Sequence, residues 1–302
     1  MARKVFISFL GAGKYKPYDR VTYQYGDQVY ETQYAPEATL RLFCTDFSAT
    51  NGDKIFFFLT KDAEKISWKN YHYPSKNGEE VVPNRGLSEY IEDDFGDMLY
   101  PITINEGKTT DEIWETFDKI YRYLQDGDDV VFDVTFGFRT SSILMMSLIN
   151  YAKVMNQITI RGIYYGAYEA KKDNITPMWN LASFSELQSW ATAANDFINY
   201  GFPQKLIEVV ENDYEGLKDT LVEVVESIET NRGRRIVEGK IFEDLQSALE
   251  HLSHLSPPPL IDLVKKIKQA ADKFGGEKDW RNGLVAVKWC IENGMTQQGI
   301  TI

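Results

Sequence analysis

Three short runs limit the fold more than anything else in this sequence: residues 4–10 (KVFISFL), 54–60 (KIFFFLT) and 129–134 (DVVFDV). Each is apolar at consecutive positions, not alternate ones. A strand of that kind must be buried on both faces, as inner strands of a parallel sheet are. Parallel neighbours cannot be joined by tight hairpins and need crossover helices. Two stretches have helical spacing. Residues 111–124 place Ile113, Trp114, Phe117, Ile120 and Leu124 along one side, with Thr109 or Thr110 as N-cap; residues 140–154 form the second. Further strands are expected at 100–104 and 158–167, a short helix at 36–44, and a hairpin of 21–25 and 29–33 about Gly26-Asp27. The fold class is therefore α/β, a Rossmann-like and mostly parallel sheet covered on both faces.

The pattern changes near Ser183, and from there to the end it is helical. Leu187, Trp190, Ala191, Ala194 and Phe197 mark one helix and 206–228 another. Asn231-Arg-Gly-Arg-Arg235 predicts a break before a helix over 236–255, which Pro257-Pro-Pro259 ends. The domain boundary is expected at Tyr200-Gly-Phe-Pro203, dividing the chain into residues 1–200 and 201–302. Trp114, Phe117, Trp190 and Phe197 read as core, and the acidic stretch 89–97 (EYIEDDFGD) as solvated turns.

Charge and composition narrow the function. With 33 Lys and Arg against 45 Asp and Glu, the formal net charge is −12. That balance opposes a broad nucleic-acid-coating surface, so no DNA partner is expected; a small anion could still bind at a local set of amides and cations. The two cysteines, Cys44 and Cys290, read as free thiols of a reducing compartment. The apolar runs at 55–59 and 143–149 fall far short of the ~20 residues a bilayer needs. Residues 1–10 read as a first strand, not a signal peptide, so a cytoplasmic protein without a membrane partner is expected. His251 and His254 share a helix face, yet no third ligand completes a metal site, and none is expected.

Ligands of parallel sheets bind at the carboxyl ends of strands. After the first strand comes Gly11-Ala12-Gly13-Lys14: two glycines allow close backbone approach and the lysine adds charge. It lacks the third glycine of a dinucleotide fingerprint and is not a Walker A loop, so a tight turn and a ligand loop both remain open on spacing alone. After the 129–134 strand, Thr135, Gly137, Arg139, Thr140 and Ser141 surround a helix N-terminus, which suits a phosphate or ribose. Tyr164, Tyr165 and Tyr168 lie near the same edge, where one of them could stack on a base.

These residues resemble a known family. Asp133-x-Thr135-x-Gly137-x-Arg139 is similar to the D-x-T-H-G motif of CRISPR-associated CARF proteins. Residues 4–15, 112–118 and 164–169 resemble the strand, helix and strand around that motif. Residues 187–201 and 289–298 resemble the approach to the HEPN ribonuclease part of such effectors. The resemblance implies a homodimer of type III CRISPR defence. Its CARF pair would bind cyclic oligoadenylate, most simply the tetramer, and switch an effector that cuts single-stranded RNA. Gly11, Ala12, Gly13 and Lys14 would line one wall of the site, and Thr135, Phe136, Gly137, Arg139 and Thr140 the other; no cofactor is implied.

Two departures shape the expectation. Phe136 stands where the motif has histidine, exchanging an imidazole donor for an aromatic face. HEPN chemistry needs Arg-x4-6-His, and none of His72, His251 and His254 follows an arginine at that distance. The chain is thus expected to be a sensor with the start of an effector, part of a longer protein. The alternative is a ring nuclease that cuts oligoadenylate in the CARF site itself; a nucleotide-dependent enzyme of another kind is a third reading.

Overall fold

A computed structural model describes residues 2–13, 15–74, 82–136, 139–200, 204–210, 216–229, 233–255, 258–275 and 278–301. The chain forms two compact units, Met1–Ser185 and Glu186–Ile302. The division falls inside one helix, ahead of the Tyr200–Pro203 boundary expected from composition, because that helix turns its apolar side to the core of the second unit.

The first unit is built on one eight-stranded sheet. Its strands are β1 (Lys4–Leu10), β2 (Val21–Tyr25), β3 (Gln28–Thr32), β4 (Lys54–Leu59), β7 (Leu99–Thr103), β8 (Asp129–Asp133), β9 (Thr159–Gly166) and β10 (Ile175–Asn180). Their spatial order is β3-β2-β10-β9-β8-β1-β4-β7. The central run from β9 to β7 is parallel throughout, while β10 against β9 and β2 against β3 are antiparallel. A separate antiparallel pair joins β5 (Tyr71–Tyr73) to β6 (Val82–Asn84).

Period-two packing explains the uninterrupted apolar runs. On β1, Val5, Ile7 and Phe9 enter one core layer with Phe56, Phe58, Val130 and Phe132. Phe6 and Leu10 enter the other, with Ile55, Phe57 and Val131. The first layer is closed by α4 (Thr110–Tyr121) and α5 (Arg139–Met155), through Ile120, Leu148, Ile149 and Ala152. The second is closed by α1 (Ala35–Phe43) and α3 (Ser88–Phe95), through Ala35, Ala38, Ile91 and Phe95. Thr109 caps α4, its hydroxyl accepting from the Glu112 amide at 3.2 Å. A short helix α2 (Lys61–Ala63) runs on into a single π turn over Glu64–Trp68.

Two expectations fail here. The acidic stretch read as turns is the helix α3: Ile91 and Phe95, four residues apart, are buried, and the charges take the other side. Trp114 is not core. With Thr116 and Ile120 facing the sheet, it sits at the edge of the buried stripe, 64% exposed, its ring 5.7 Å from that of Phe117.

The second unit is helical: most of α6 (Ala182–Tyr200), then α7 (Gln204–Val210), α8 (Leu217–Glu229), α9 (Gly233–Glu238), α10 (Lys240–Leu255), α11 (Pro258–Ala271), α12 (Arg281–Glu292) and α13 (Thr296–Thr301). Trp190 and Phe197 of α6 pack with Leu221, Phe242, Leu245 and Trp289. The expected single helix over 236–255 is split by Gly239, whose φ of +74° ends α9. Arg234 and Arg235 lie within α9 and pair with Glu238 and Glu223, at 2.9 and 2.8 Å. No helix among the described residues is long and apolar enough to cross a membrane.

Candidate functional site

The two loops singled out in the sequence follow adjacent strands. β1 and β8 are parallel neighbours, with Ser8 opposite Asp133, so both chains leave the sheet at the same edge. After β1, Gly11 leaves room for Tyr18: a Cβ there would lie 2.9 Å from its hydroxyl, and the phenol would have to shift. At Gly13 a Cβ would meet the Lys16 carbonyl at 3.0 Å and the Tyr73 hydroxyl at 3.2 Å. The Gly13 amide donates to Ser67 Oγ at 3.3 Å and its carbonyl accepts from Tyr73, which ties this loop to the segment after β4.

The β8 loop is held by a buried carboxylate. Asp133 is fully enclosed; its Oδ1 accepts from the Thr135 amide at 3.2 Å, and its Oδ2 accepts from the hydroxyls of Thr39 and Thr135. The Thr135 hydroxyl in turn accepts from the Gly166 amide at 2.8 Å, linking the loop to the end of β9. Burial pushes the Asp133 carboxyl up to about 6, against these hydrogen bonds, which favour the ionised form. In Asp-x-Thr, then, the aspartate shapes the turn and the threonine completes the bridge. Phe136 packs on Tyr18, ring centroids 4.8 Å apart. Arg139 and Thr140 begin α5, as the helix N-terminus expected there; their side chains, and Lys14 and Gly137 altogether, lie outside the described residues.

Phe136 and Tyr18 stand between two cavities. The smaller, about 330 Å³, opens over the ends of β1, β4 and β7 and is lined by Phe9, Phe58, Ile104, Thr60, Asp62 and Glu106. The larger, about 680 Å³, lies toward β2 and β9, where Lys16, Tyr23, Gln33, Tyr165 and Tyr168 contribute. Ala12, Tyr18, Thr135 and Phe136 line both. One side of the larger cavity is a charged relay. Lys16 donates to Asp19 at 2.9 Å, Tyr168 donates to Asp19 at 2.6 Å, and Lys171 donates to the Tyr168 hydroxyl at 3.1 Å. The Lys16 hydrogen bond holds the Asp19 carboxyl below its usual range, and burial raises the Tyr18 phenol.

Of the three tyrosines named from sequence, Tyr165 and Tyr168 reach the larger cavity. Tyr164 turns into the core and stacks on Phe43, centroids 3.6 Å apart. The sequence reading did not find Tyr18, Tyr23, Thr39, Asp62 or Glu106. Only Asp133, as the first letter of the motif, pointed toward any of them. Among the described residues no group of three or more His, Cys, Asp or Glu is placed to hold a metal ion.

Comparison with known proteins agrees with this arrangement. Residues 186–277 match the model of the second domain of CRISPR-associated protein MJ1674. The curated protein of that name from Methanocaldococcus jannaschii is 26% identical over 204 residues, 65% of this chain and 31% of its own length, so the match spans about a third of that relative. Residues 5–169, which carry both strand-end loops, both cavities and the buried Asp133, match the model described as the CARF domain of CRISPR system endoribonuclease Csx1. That match covers more than half of the chain, which therefore belongs to the Csx1 CARF-domain family of CRISPR-associated proteins.

Proposed function

We propose that this protein is a sensor of type III CRISPR defence: a homodimer whose paired CARF domains bind cyclic oligoadenylate, most simply the tetramer, and switch an effector that cuts single-stranded RNA. One observation carries the reading. The loops after β1 and β8 converge beside the N-terminus of a seventeen-residue helix, on a cleft with aromatic walls and two cavities. Helix dipole and loop amides suit phosphates, and the rings of Phe136, Tyr165 and Tyr168 suit bases.

The outer side of α5 supports the dimer. From Thr140 to Ala152 the sequence has no charged residue, in a chain of formal net charge −12. Ile143 and Val154 are 73% and 78% exposed, and Tyr151 extends the patch through Phe117 to Trp114. An uncharged helix face is one that two copies can share about a two-fold axis without like-charge repulsion. Ligand contacts from both copies would then favour one dimer arrangement over another. The ribonuclease step is assigned to an effector beyond these residues, since they hold no Arg-x4-6-His.

The test is titration of the purified protein with cyclic tri-, tetra- and hexa-adenylate, with particle mass and product analysis on the same samples. The expected result is one tetramer ring per two chains, recovered intact. Arg139→Ala should weaken binding by roughly 1.5–3 kcal/mol. Linear products would convert the reading to a ring nuclease, and no binding of any ring would reject it.

A further inference from the structure

The hydroxyls around the buried Asp133 have more acceptors than protons. Thr39 has one hydroxyl proton and two acceptors within reach, Asp133 Oδ2 and the Ala35 carbonyl at 3.1 Å. Ser8 stands likewise between Asp133 Oδ1 at 3.4 Å and the Phe9 carbonyl at 2.9 Å. Thr135 accepts from the Gly166 amide and has its single proton for Asp133 Oδ2, at 3.3 Å. A hydroxyl donates only once. With Asp133 ionised, Thr39 and Thr135 both turn to the carboxylate, and Thr39 gives up its bond to Ala35. With Asp133 neutral, its own proton is donated to Thr39, Thr39 donates to Ala35, and the proton of Thr135 is released. Thr135 lines both cavities, so a group bound there can accept that proton's hydrogen bond.

We propose that the cleft is a proton-linked anion site: a bound phosphodiester accepts the hydrogen bond released by Thr135, and Asp133 takes up a proton from solvent as the ligand binds. This rests on the oligoadenylate reading above and adds pH control to it. No covalent bond to the ligand forms or breaks; the one proton gained sits on Asp133. Charge acts in the same direction, since an anion beside a buried carboxylate favours the neutral carboxyl. The hydrogen-bond partners of Asp133 among the described residues are neutral, whereas Asp128, also buried, pairs with Arg3 at 2.6 Å. Burial has already brought the Asp133 carboxyl to about 6. The neighbouring titratable groups do not compete for the proton. Burial raises Tyr23 on β2, Tyr164 on β9 and Cys44 at the end of α1, so all three stay protonated near neutrality. Glu37 on α1 is occupied by the hydroxyls of Tyr30 and Thr32, and β1 turns the hydroxyl of Ser8 to Asp133. Binding should therefore be tightest at acid pH and weaken as pH rises, because the ionised Asp133 takes back the Thr135 proton and sets two anions side by side.

The experiment is calorimetric titration of the full chain with cyclic tetra-adenylate near pH 6.5, in two buffers of different ionisation enthalpy, which reads proton uptake directly. For a ligand that raises the Asp133 pKa by about one unit, the wild type should take up about half a proton per chain, and its affinity per chain should fall roughly sevenfold between about pH 5.5 and pH 8. Asp133→Asn, whose amide donates to Thr39 as the neutral carboxyl does, should bind without uptake and without that pH dependence. Thr135→Val lacks the released donor and should bind more weakly, also without uptake. Thermal unfolding confirms that each variant is folded at the temperature of titration. A wild type that binds the ring with no uptake would overturn the linkage and leave the sensor reading standing. Undiminished uptake in folded Asp133→Asn would place the proton on another group and overturn it equally. Should the asparagine variant fail to fold, undiminished uptake in Thr135→Val would do the same. Binding of none of the cyclic tri-, tetra- and hexa-adenylate rings would overturn the sensor reading, and the linkage with it.

Discussion

The two strand ends that form the cleft are shaped by different forces. The loop after β1 is held by sterics: Gly11 leaves room for the Tyr18 hydroxyl, and Gly13 turns the chain under Tyr73. The loop after β8 is held by a buried carboxyl group, with Asp133 gathering Thr39 and Thr135 around it. The first depends on what is missing from a side chain and is indifferent to pH. The second depends on a proton. Adjacent strands of one sheet can thus carry one site while answering to different perturbations.

The largest expected effect follows from Asp133. Its folded-state pKa of about 6 is raised above the ordinary aspartate value of 3.8 by burial. A group raised in this way stabilises the fold fully below its unfolded pKa, and the contribution is lost as pH rises through the folded value. Between about pH 4 and pH 6.5 the wild type should therefore lose up to ~3 kcal/mol through this one group. Denaturant titrations across that range should show the loss, and Asp133→Asn should flatten it. An identical pH slope in both proteins would mean that Asp133 carries no such burden. Gly11→Ala comes next, at about 2 kcal/mol, since the new methyl must displace a packed phenol. Its unfolding midpoint should fall by the same amount at pH 5 and pH 7, the opposite signature to Asp133.

How much of this was legible beforehand follows the same division. The inner strands were readable because burial on both faces leaves a continuous apolar run, and the end of such a run shows where a ligand loop begins. The Asp133 motif was readable because its residues are consecutive. α3 was not, because five acidic residues in 89–97 obscured two buried apolar positions, Ile91 and Phe95. Tyr18, Asp62 and Glu106 were not, because each reaches the cleft from a different connection, and nothing local in the sequence records which strand end a connection will pass; Thr39 was not, because it meets Asp133 from within α1. Trp114 was misplaced for a related reason: helical spacing shows that a stripe exists, while its width depends on what packs against it.

The bridge from β8 to β9 offers a smaller, sharper comparison. Thr135→Val should cost roughly 1–2 kcal/mol, because the Gly166 amide loses its acceptor and Asp133 one of its donors, in a part-buried place. Thr135→Ser keeps the hydroxyl and should remain within ~0.5 kcal/mol of the wild type. Chemical denaturation of the pair separates the hydrogen bond from the loss of a methyl group. If serine is as damaging as valine, packing rather than the bridge holds this loop.

A small effect on stability is expected at Phe136, where the two loops meet. Its ring contact with Tyr18 is the kind of aromatic pair worth about 0.5–1.5 kcal/mol, and leucine keeps most of the buried volume. Phe136→Leu should therefore unfold about 1 kcal/mol earlier, less than any change that breaks either loop's own support. Its consequence for ligand binding should be larger than its consequence for the fold, because the ring lines both cavities. Measured together, the unfolding midpoint and the dissociation constant for cyclic tetra-adenylate should move by different free energies, with binding the more sensitive. Equal shifts would make Phe136 a packing residue that reaches the ligand only through the fold. A binding loss exceeding the stability loss would put the aromatic face itself in contact with the ligand, at the position where one loop formed by sterics and one formed around a buried carboxyl group present a common wall.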